Sequence, residues 1–428
     1  MSELRLEDVA RALLTAGFPD YVAWSDGERH SVVAGARARV VLDGKTFTVR
    51  DASNNVTAEV TTTEPFGDAG RLLREAVRGP FRAWGYLGFA LTSFKYPYTK
   101  SLGPALHLIV PEITCHLEGG IVTFEGDDGA VARARAALSN LPASEGPRGR
   151  SGAAAAVDAV ETGRSVYEAG VKEVLAAIRE RKVEKVILAR QVVLAGKLDP
   201  LATLTASSQT PAARRFAFTL GEVTGVGACP EFLIMGDAER HVITNPLAGT
   251  QPRGATEEED ARLTANLLRD VKEVSEHAMS IRLAYDEIAS VCTAETARVV
   301  DFMRVKRYAF TQHLSSRAAG TLAPGLTTWD ALRAVFPGVT VSGIAKHEAI
   351  AMLDRLEPTP RGVYGGAVGW VDHTGAMDWG IAIRSSFDYG QGVTLNAGAG
   401  IVIDSDPAYE FDESAHKMRT MGSRIVLE

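Results

Sequence analysis

Two pairs of glutamates at helical spacing are the residues of this chain best placed to do chemistry together. In DVKEVSEHAMSIRLAYDEI, Glu273 and Glu276 fall at i, i+3. In DPAYEFDESAHKM, Glu410 and Glu413 repeat the spacing, and Lys417 follows at i+4 from Glu413. On a helix such residues share one face. Each pair read alone is either a solvated charged face or half of a site. Two helices offering two carboxylates each to one pocket would repel unless a divalent cation lay between them. An oxygen-only donor set of that kind suits Mg²⁺, which keeps several waters and takes one or two carboxylates directly.

Other residues stand where chemistry is possible. Ahead of the second pair, LNAGAGIVI reads as a strand and a tight Gly-rich turn, and Asp404, Ser405, Asp406 and Pro407 supply helix-start signals. Gly398 and Gly400 lack a Cβ, so backbone there can approach a ligand closely. Lys185 begins EKVILARQVVL, a β-branched strand whose period of two puts Lys185, Ile187 and Ala189 on one face. A lysine there is either a snorkelling end residue or a site residue. In HVITNPLAGTQPRG a strand runs into a Pro/Gly turn whose Gly249 and Thr250 offer backbone N–H groups to an anion. Pro230-Glu231 parts two apolar runs, and His313 lies near the second of two strands in RVVDFMRVKRYAFTQHLSSRAAGTL.

These residues need a large frame. The 428 residues are 46% hydrophobic and 23% charged, an ordinary globular composition. A net charge of -7 without a basic block argues against a nucleic-acid partner. Cys115, Cys229 and Cys292 are widely spaced and match no zinc-ligand pattern, so reduced thiols are expected. No stretch approaches the roughly 20 apolar residues that span a bilayer, and the amphipathic start lacks a signal peptide's apolar core. A cytoplasmic protein without a membrane partner is expected. After a first helix, residues 30–62 alternate as strands with a hairpin at Asp43-Gly44, and a short helix spans 67–77. The aromatic run from Phe81 to Phe89 has a single basic residue, Arg82, and reads as core. PASEGPRGRSGAAAA, without periodicity, predicts a surface linker within 142–164 between a part spanning 1–141 and a part spanning 165–428. Beyond it come a helix over 166–182, one long helix over 256–288, and three successive strands in RGVYGGAVGWVD, MDWGIAIRSSF and GVTLNAGAGIV that read as an antiparallel meander.

Taken together, PLAGT, KEVSEH, QHL, FPGVTVSGI, RGVYGGAVG, the IAIR strand and GAGIV followed by DP, two glutamates and a lysine resemble the chorismate-utilising enzymes. These are the anthranilate, aminodeoxychorismate, isochorismate and salicylate synthases. The resemblance is collinear from about Ser165 to the end and thinner before it. It implies an α/β fold of the α+β type: one unit of two antiparallel sheets stacked face to face, helices outside, and an active-site cleft between halves. It implies Mg²⁺ as cofactor and chorismate as substrate. Glu276 and Glu413 match direct metal ligands, and Glu273 and Glu410 match carboxylates that hold metal-bound waters. Tyr364 and Arg384 match the grip on the enolpyruvyl carboxylate. Lys417, Gly398 and the backbone of Gly249 and Thr250 match the rest of the substrate cradle. Lys185 matches the base that activates water, Glu231 the acid that protonates the departing 4-hydroxyl, and His313 and Thr340 the residues lining the ring.

Within the family, Lys185 implies water as nucleophile, and Ala248 stands where aminodeoxychorismate synthases often carry lysine. QHL and FPGVTVSGI resemble the salicylate synthases, with one departure at Ala345, where many have proline. The expected function is therefore Mg²⁺-dependent conversion of chorismate through isochorismate to salicylate and pyruvate, by a monomer without a glutamine amidotransferase subunit. Isochorismate release, an ammonia-dependent synthase subunit and an inactive binding homologue are the alternatives.

Overall fold

Alternating apolar residues drive most of the chain into strands, and helices take the segments between them. The computed structural model describes residues 4–141, 150–152, 156, 158–208, 212–308 and 311–428. The strands nearest the site are β1 (Lys185–Leu194), β2 (Val223–Cys229), β3 (Phe232–Gly236), β4 (Leu247–Pro252), β5 (Thr311–Thr321), β6 (Met377–Ile381), β7 (Ser385–Asp388) and β8 (Val393–Ile401). Helices α1 (Val271–Ala289) and α2 (Pro407–Gly422) complete the set.

Among the described residues two large antiparallel sheets form. The first runs from Gly343–Ile344 through β1, β8, β7, β2 and Arg214–Leu220 to Tyr21–Ser25, His30–Ala34, Ile113–Glu118 and Ile121–Gly126. The second runs from β4 through β5, His241–Thr244, β3, β6, Ala367–Asp372 and Arg82–Leu87 to Leu106–Val110, Ala38–Asp43, Thr46–Asp51 and Val56–Thr61. Both sheets therefore mix strands from the two ends of the chain. Their inner faces meet through aromatic rings: Trp24 meets Trp84 edge-on at 6.3 Å, and Tyr86 stacks on Phe218 at 5.4 Å. Trp84, Tyr86 and Phe89 are buried, so this run is core. Helices Leu6–Thr15 and Asp128–Ser139 cover the first sheet, and Pro65–Ala76, Thr328–Val335 and α1 cover the second. The fold is the stacked, helix-flanked one that the resemblance implies.

Two chain segments pass from one sheet to the other side by side. β2 leads into β3 through Pro230-Glu231, and β6 leads into β7 through 382–384. β2 pairs β7 in the first sheet, and β3 pairs β6 in the second. The crossing also opens the cleft. β8 pairs β1 over 393–401, yet it pairs β7 only over 393–395. Past Leu395, one edge of β8 is left facing a gap.

Several expectations are corrected. The stretch 396–400 is not a turn: it continues β8, paired to β1 with Gly398 opposite Ala189 and Gly400 opposite Ile187. The glycines are there because of packing, since a Cβ on Gly398 would lie 2.8 Å from Leu188 O. The long helix over 256–288 is two helices, Glu257–Leu267 and α1. They part where the Asp270 side chain caps α1 by accepting from the N–H groups of Lys272 and Glu273 at 3.0 and 3.2 Å. The meander is divided between sheets, because MDWGIAIRSSF breaks into β6 and β7. PLAGT is part of β4, with a bulge at Gly249 (φ +74°) in place of a turn. Of the linker 142–164, residues 142–149, 153–155 and 157 lie outside the described residues. Arg150–Ser151 pair with Val426–Leu427, and Ala156 and Val160 are buried, so this part is not a free surface crossing.

Candidate active site

At the end of the cleft nearest the helices, three of four glutamates each hold a lysine. Glu276 Oε1 lies 2.8 Å from Lys185 Nζ, Glu410 Oε1 lies 3.0 Å from Lys272 Nζ, and Glu413 Oε1 lies 2.5 Å from Lys417 Nζ. Glu273 instead accepts the Thr250 N–H at 2.7 Å, so the anion that this amide serves is a side chain of α1. The bulge at Gly249 turns that amide toward α1. Burial, reinforced by Glu276, pushes the Glu273 carboxyl up to about 7. Burial and Glu413 push Glu410 up as well. Burial also acts on Glu413, but Lys417, Lys272 and Arg384 outweigh it and hold that carboxyl low. Glu410 Oε2 is buried and makes no hydrogen bond. Glu273, Glu276 and Glu413 line one cavity, and an oxygen-only donor set of that kind suits Mg²⁺, so the residues present fit that ion.

Glu231 sits on the first crossing, 1% exposed. Its carboxylate accepts the Leu247 N–H at 2.8 Å and the Thr340 hydroxyl at 2.7 Å. Burial dominates and pushes it up to about 7 against these bonds and the charges of Lys185 and Arg384. Lys185 is fully buried at the start of β1, so the snorkelling alternative does not hold. Arg384 sits on the second crossing at φ +51°, in the left-handed region that non-glycine residues rarely occupy. Among the described residues its guanidinium makes no hydrogen bond or ion pair, and it faces the cavity beside Tyr364. Burial pushes the Tyr364 phenol up. His313, on β5, bonds Thr250 Oγ1 through Nδ1 and Thr311 Oγ1 through Nε2, both at 3.0 Å. Burial, aided by Arg384 and Lys417, pushes its imidazole down to about 3, so the ring is neutral.

One cavity of about 90 Å³ is walled by Lys185, Glu231, Gly249, Thr250, Glu273, Glu276, His313, Thr340, Tyr364, Arg384, Gly398, Glu413 and Lys417. Of the residues singled out in the sequence, Glu410 stands apart: it lies behind this wall, fully buried against Lys272. Lys417 also bonds Gly398 O at 3.0 Å, tying α2 to the open edge of β8. Gly400 matters for a reason the sequence did not show, because a Cβ there would overlap Glu276 Oε1 and lie 3.2 Å from Lys185 Cε. Ala345 follows Ile344 through a cis peptide bond, next to the pairing of Ile344 with Lys185. The sequence reading passed over Lys272, Ser280 and Asn396. Ser280 had a signal: it falls at i+4 from Glu276, on the same face of α1. Asn396, in the cavity wall with its Oδ1 buried and unbonded, had none.

Residues 19–423 match the model of the chorismate binding enzyme family. The chain belongs to that family. An anthranilate synthase component 1 from Thermus thermophilus is 34% identical over 421 residues, covering 91% of this chain and 90% of the relative. Another, from Haloferax volcanii, is 38% identical over 296 residues, covering 68% of this chain and 56% of the relative. The chain spans about half the length of the first curated relatives it matches. Among solved structures, anthranilate synthase component I from Streptococcus pneumoniae has a TM-score of 0.78 at 24% identity, covering 93% of both chains. The menaquinone-specific isochorismate synthase from Escherichia coli has a TM-score of 0.75 at 21% identity, covering 99% of this chain and 92% of that one. These structures share the fold of this chain.

Proposed function

We propose that this enzyme is a Mg²⁺-dependent salicylate synthase, converting chorismate through isochorismate to salicylate and pyruvate. The observation that carries the reading is Lys185, a fully buried amine in the same cavity wall as the raised carboxyl of Glu231. Adding water at ring carbon 2 needs a base for the water and an acid for the departing 4-hydroxyl. Lys185 takes the proton from water. Glu231 gives its proton to the leaving hydroxide, and at about 7 it keeps that proton in good measure at neutral pH. Mg²⁺, held directly by Glu276 and Glu413 with Glu273 and Glu410 serving its waters, would neutralise a substrate carboxylate. Arg384 and Tyr364 take the enolpyruvyl carboxylate, for which an unpaired Arg fork is suited. Gly398 and Lys417 complete the cradle.

In the second step, the hydrogen at ring carbon 2 moves to the enolpyruvyl methylene as the carbon–oxygen bond to the ring breaks. Atoms balance without a further reactant, since isochorismate divides into salicylate and pyruvate. No separate base is required, only a substrate side chain folded over the ring with water excluded. His313, neutral and braced by two threonine hydroxyls, and Thr340, tied to Glu231, give that pocket fixed walls. The reading needs no ammonia, no amidotransferase partner and no second copy of the chain.

The names of the curated relatives favour a second reading, an ammonia-dependent anthranilate-type subunit. Chromatography of a chorismate and Mg²⁺ reaction separates the two, without added lyase or ammonia and with a chelator control. Salicylate and equimolar pyruvate, lost on chelation, support the proposal. Isochorismate as the end product rejects the second step. Turnover only with ammonia rejects water as nucleophile.

A further inference from the structure

The Lys185 amine has two partners at hydrogen-bond distance, Glu276 Oε1 at 2.8 Å and Ser280 Oγ at 3.0 Å. Lys185 and Ser280 are both fully buried, so no water from bulk substitutes for either contact. Ser280 stands one turn after Glu276 on α1, and its hydroxyl proton is already committed to Glu276 O at 2.8 Å. That bond is the back-bond a serine makes to the preceding turn of its helix. A hydroxyl has one proton to give and two lone pairs. With the proton committed, Ser280 Oγ can only accept from Lys185. An accepting partner fixes one N–H of the amine, and with it where the rest of the amine points. Glu276 is also an acceptor, but the proposed function asks it to serve a metal ion as well. Ser280 has no other task. On the far side, Gly400 leaves room for the lysine chain and Glu276, but a side chain there would collide with both.

We propose that Ser280 is a positioning residue for water addition: by accepting an N–H from Lys185 it holds the amine in place at the cavity wall. This rests on the reading of water as nucleophile, and it assigns Ser280 no part in the second step, which uses no base. The test compares Ser280→Ala with the wild type on chorismate and, separately, on isochorismate. An amine displaced by about 1 Å loses on the order of a hundredfold in rate. Ser280→Ala should therefore lower kcat on chorismate about a hundredfold with little change in KM, and leave pyruvate release from isochorismate near the wild-type rate. Ser280→Thr, which keeps the hydroxyl and its back-bond, should restore much of the chorismate rate. Equal loss in both reactions would mean a merely structural role, and an unchanged chorismate rate would mean none; either overturns the proposal. If Ser280→Ala does not fold, Ser280→Cys, close in size but a poor acceptor, is held to the same two-substrate comparison. A wild-type protein that forms isochorismate but releases no pyruvate would sink the salicylate reading alone, and Ser280 would then be judged by kcat against KM on chorismate. Ammonia-dependent turnover indifferent to Ser280→Ala would remove both.

Discussion

The same two sheets are closed at one end and open at the other. At the closed end Trp24, Phe216 and Phe218 meet Trp84 and Tyr86, and the interlayer is filled by rings. That end tolerates buried indole nitrogens on Trp24 and Trp84 and a Tyr86 hydroxyl with no bonding partner. At the open end β7 leaves β8 after Leu395, and the gap is lined by carboxylates, lysines and an unpaired arginine. There, by contrast, most polar groups are held by specific partners. Strand pairing alone separates the two: where strands stay in their own sheet the layers pack dry, and where they cross between sheets a charged cavity forms. The closed end carries stability, and the open end carries chemistry.

The strongest way to break this division is at the open end. Lys185→Met and Glu231→Gln should each cost about a thousandfold or more in chorismate turnover, since general acid–base groups contribute up to about 10⁴. Ligand binding should survive in both, because Arg384, Tyr364 and Lys417 remain. Near wild-type rates in either variant would contradict its role.

The second way is at the closed end. Phe218→Ala should cost about 3–5 kcal/mol of stability, as large aromatic truncations do, read as a lower denaturant midpoint. Turnover per folded molecule should not change. A Phe218→Ala protein of normal stability and poor kcat would reverse the assignment of the two ends.

The smallest effect sharpens the comparison by pH. Burial raises the Glu231 carboxyl from its ordinary 4.5 to about 7. A raised carboxyl contributes stability below its unfolded value and loses it as pH rises through the folded one. Between about pH 4.5 and 7 the wild type should therefore lose roughly 3 kcal/mol from this group, and Glu231→Gln should remove that share of the slope. In catalysis the same proton is needed on Glu231, so kcat/KM should fall about tenfold per pH unit above about 7. A flat alkaline side would exclude Glu231 as the acid.

Much of the open end was legible in the sequence because helical spacing places side chains reliably. The i, i+3 glutamates do face one cavity region, although Glu410 ended behind the wall, where Lys272 holds it. Spacing along a helix says which face a residue is on, but not how deep it lies. The family resemblance supplied the stacked sheets, which local periodicity does not contain. Glycines misled: Gly398 and Gly400 suggested a turn, yet both lie in β8, where Leu188 O and the Lys185–Glu276 pair leave no room for a Cβ. The division of MDWGIAIRSSF between sheets was hidden for a similar reason. Trp379 to Ile383 run apolar into the crossing, and the positive φ of Arg384 marks its end.

The central claim is that water, activated at Lys185, becomes the ring hydroxyl of the product. The most direct measurement is the reaction of chorismate with Mg²⁺ in ¹⁸O-enriched water, followed by mass spectrometry of the aromatic product. Salicylate carrying one solvent oxygen at its phenolic position, formed with equimolar pyruvate and absent in Lys185→Met, is the result this account predicts. Anthranilate, formed only when ammonia is supplied, or salicylate whose phenolic oxygen does not come from solvent, would contradict it.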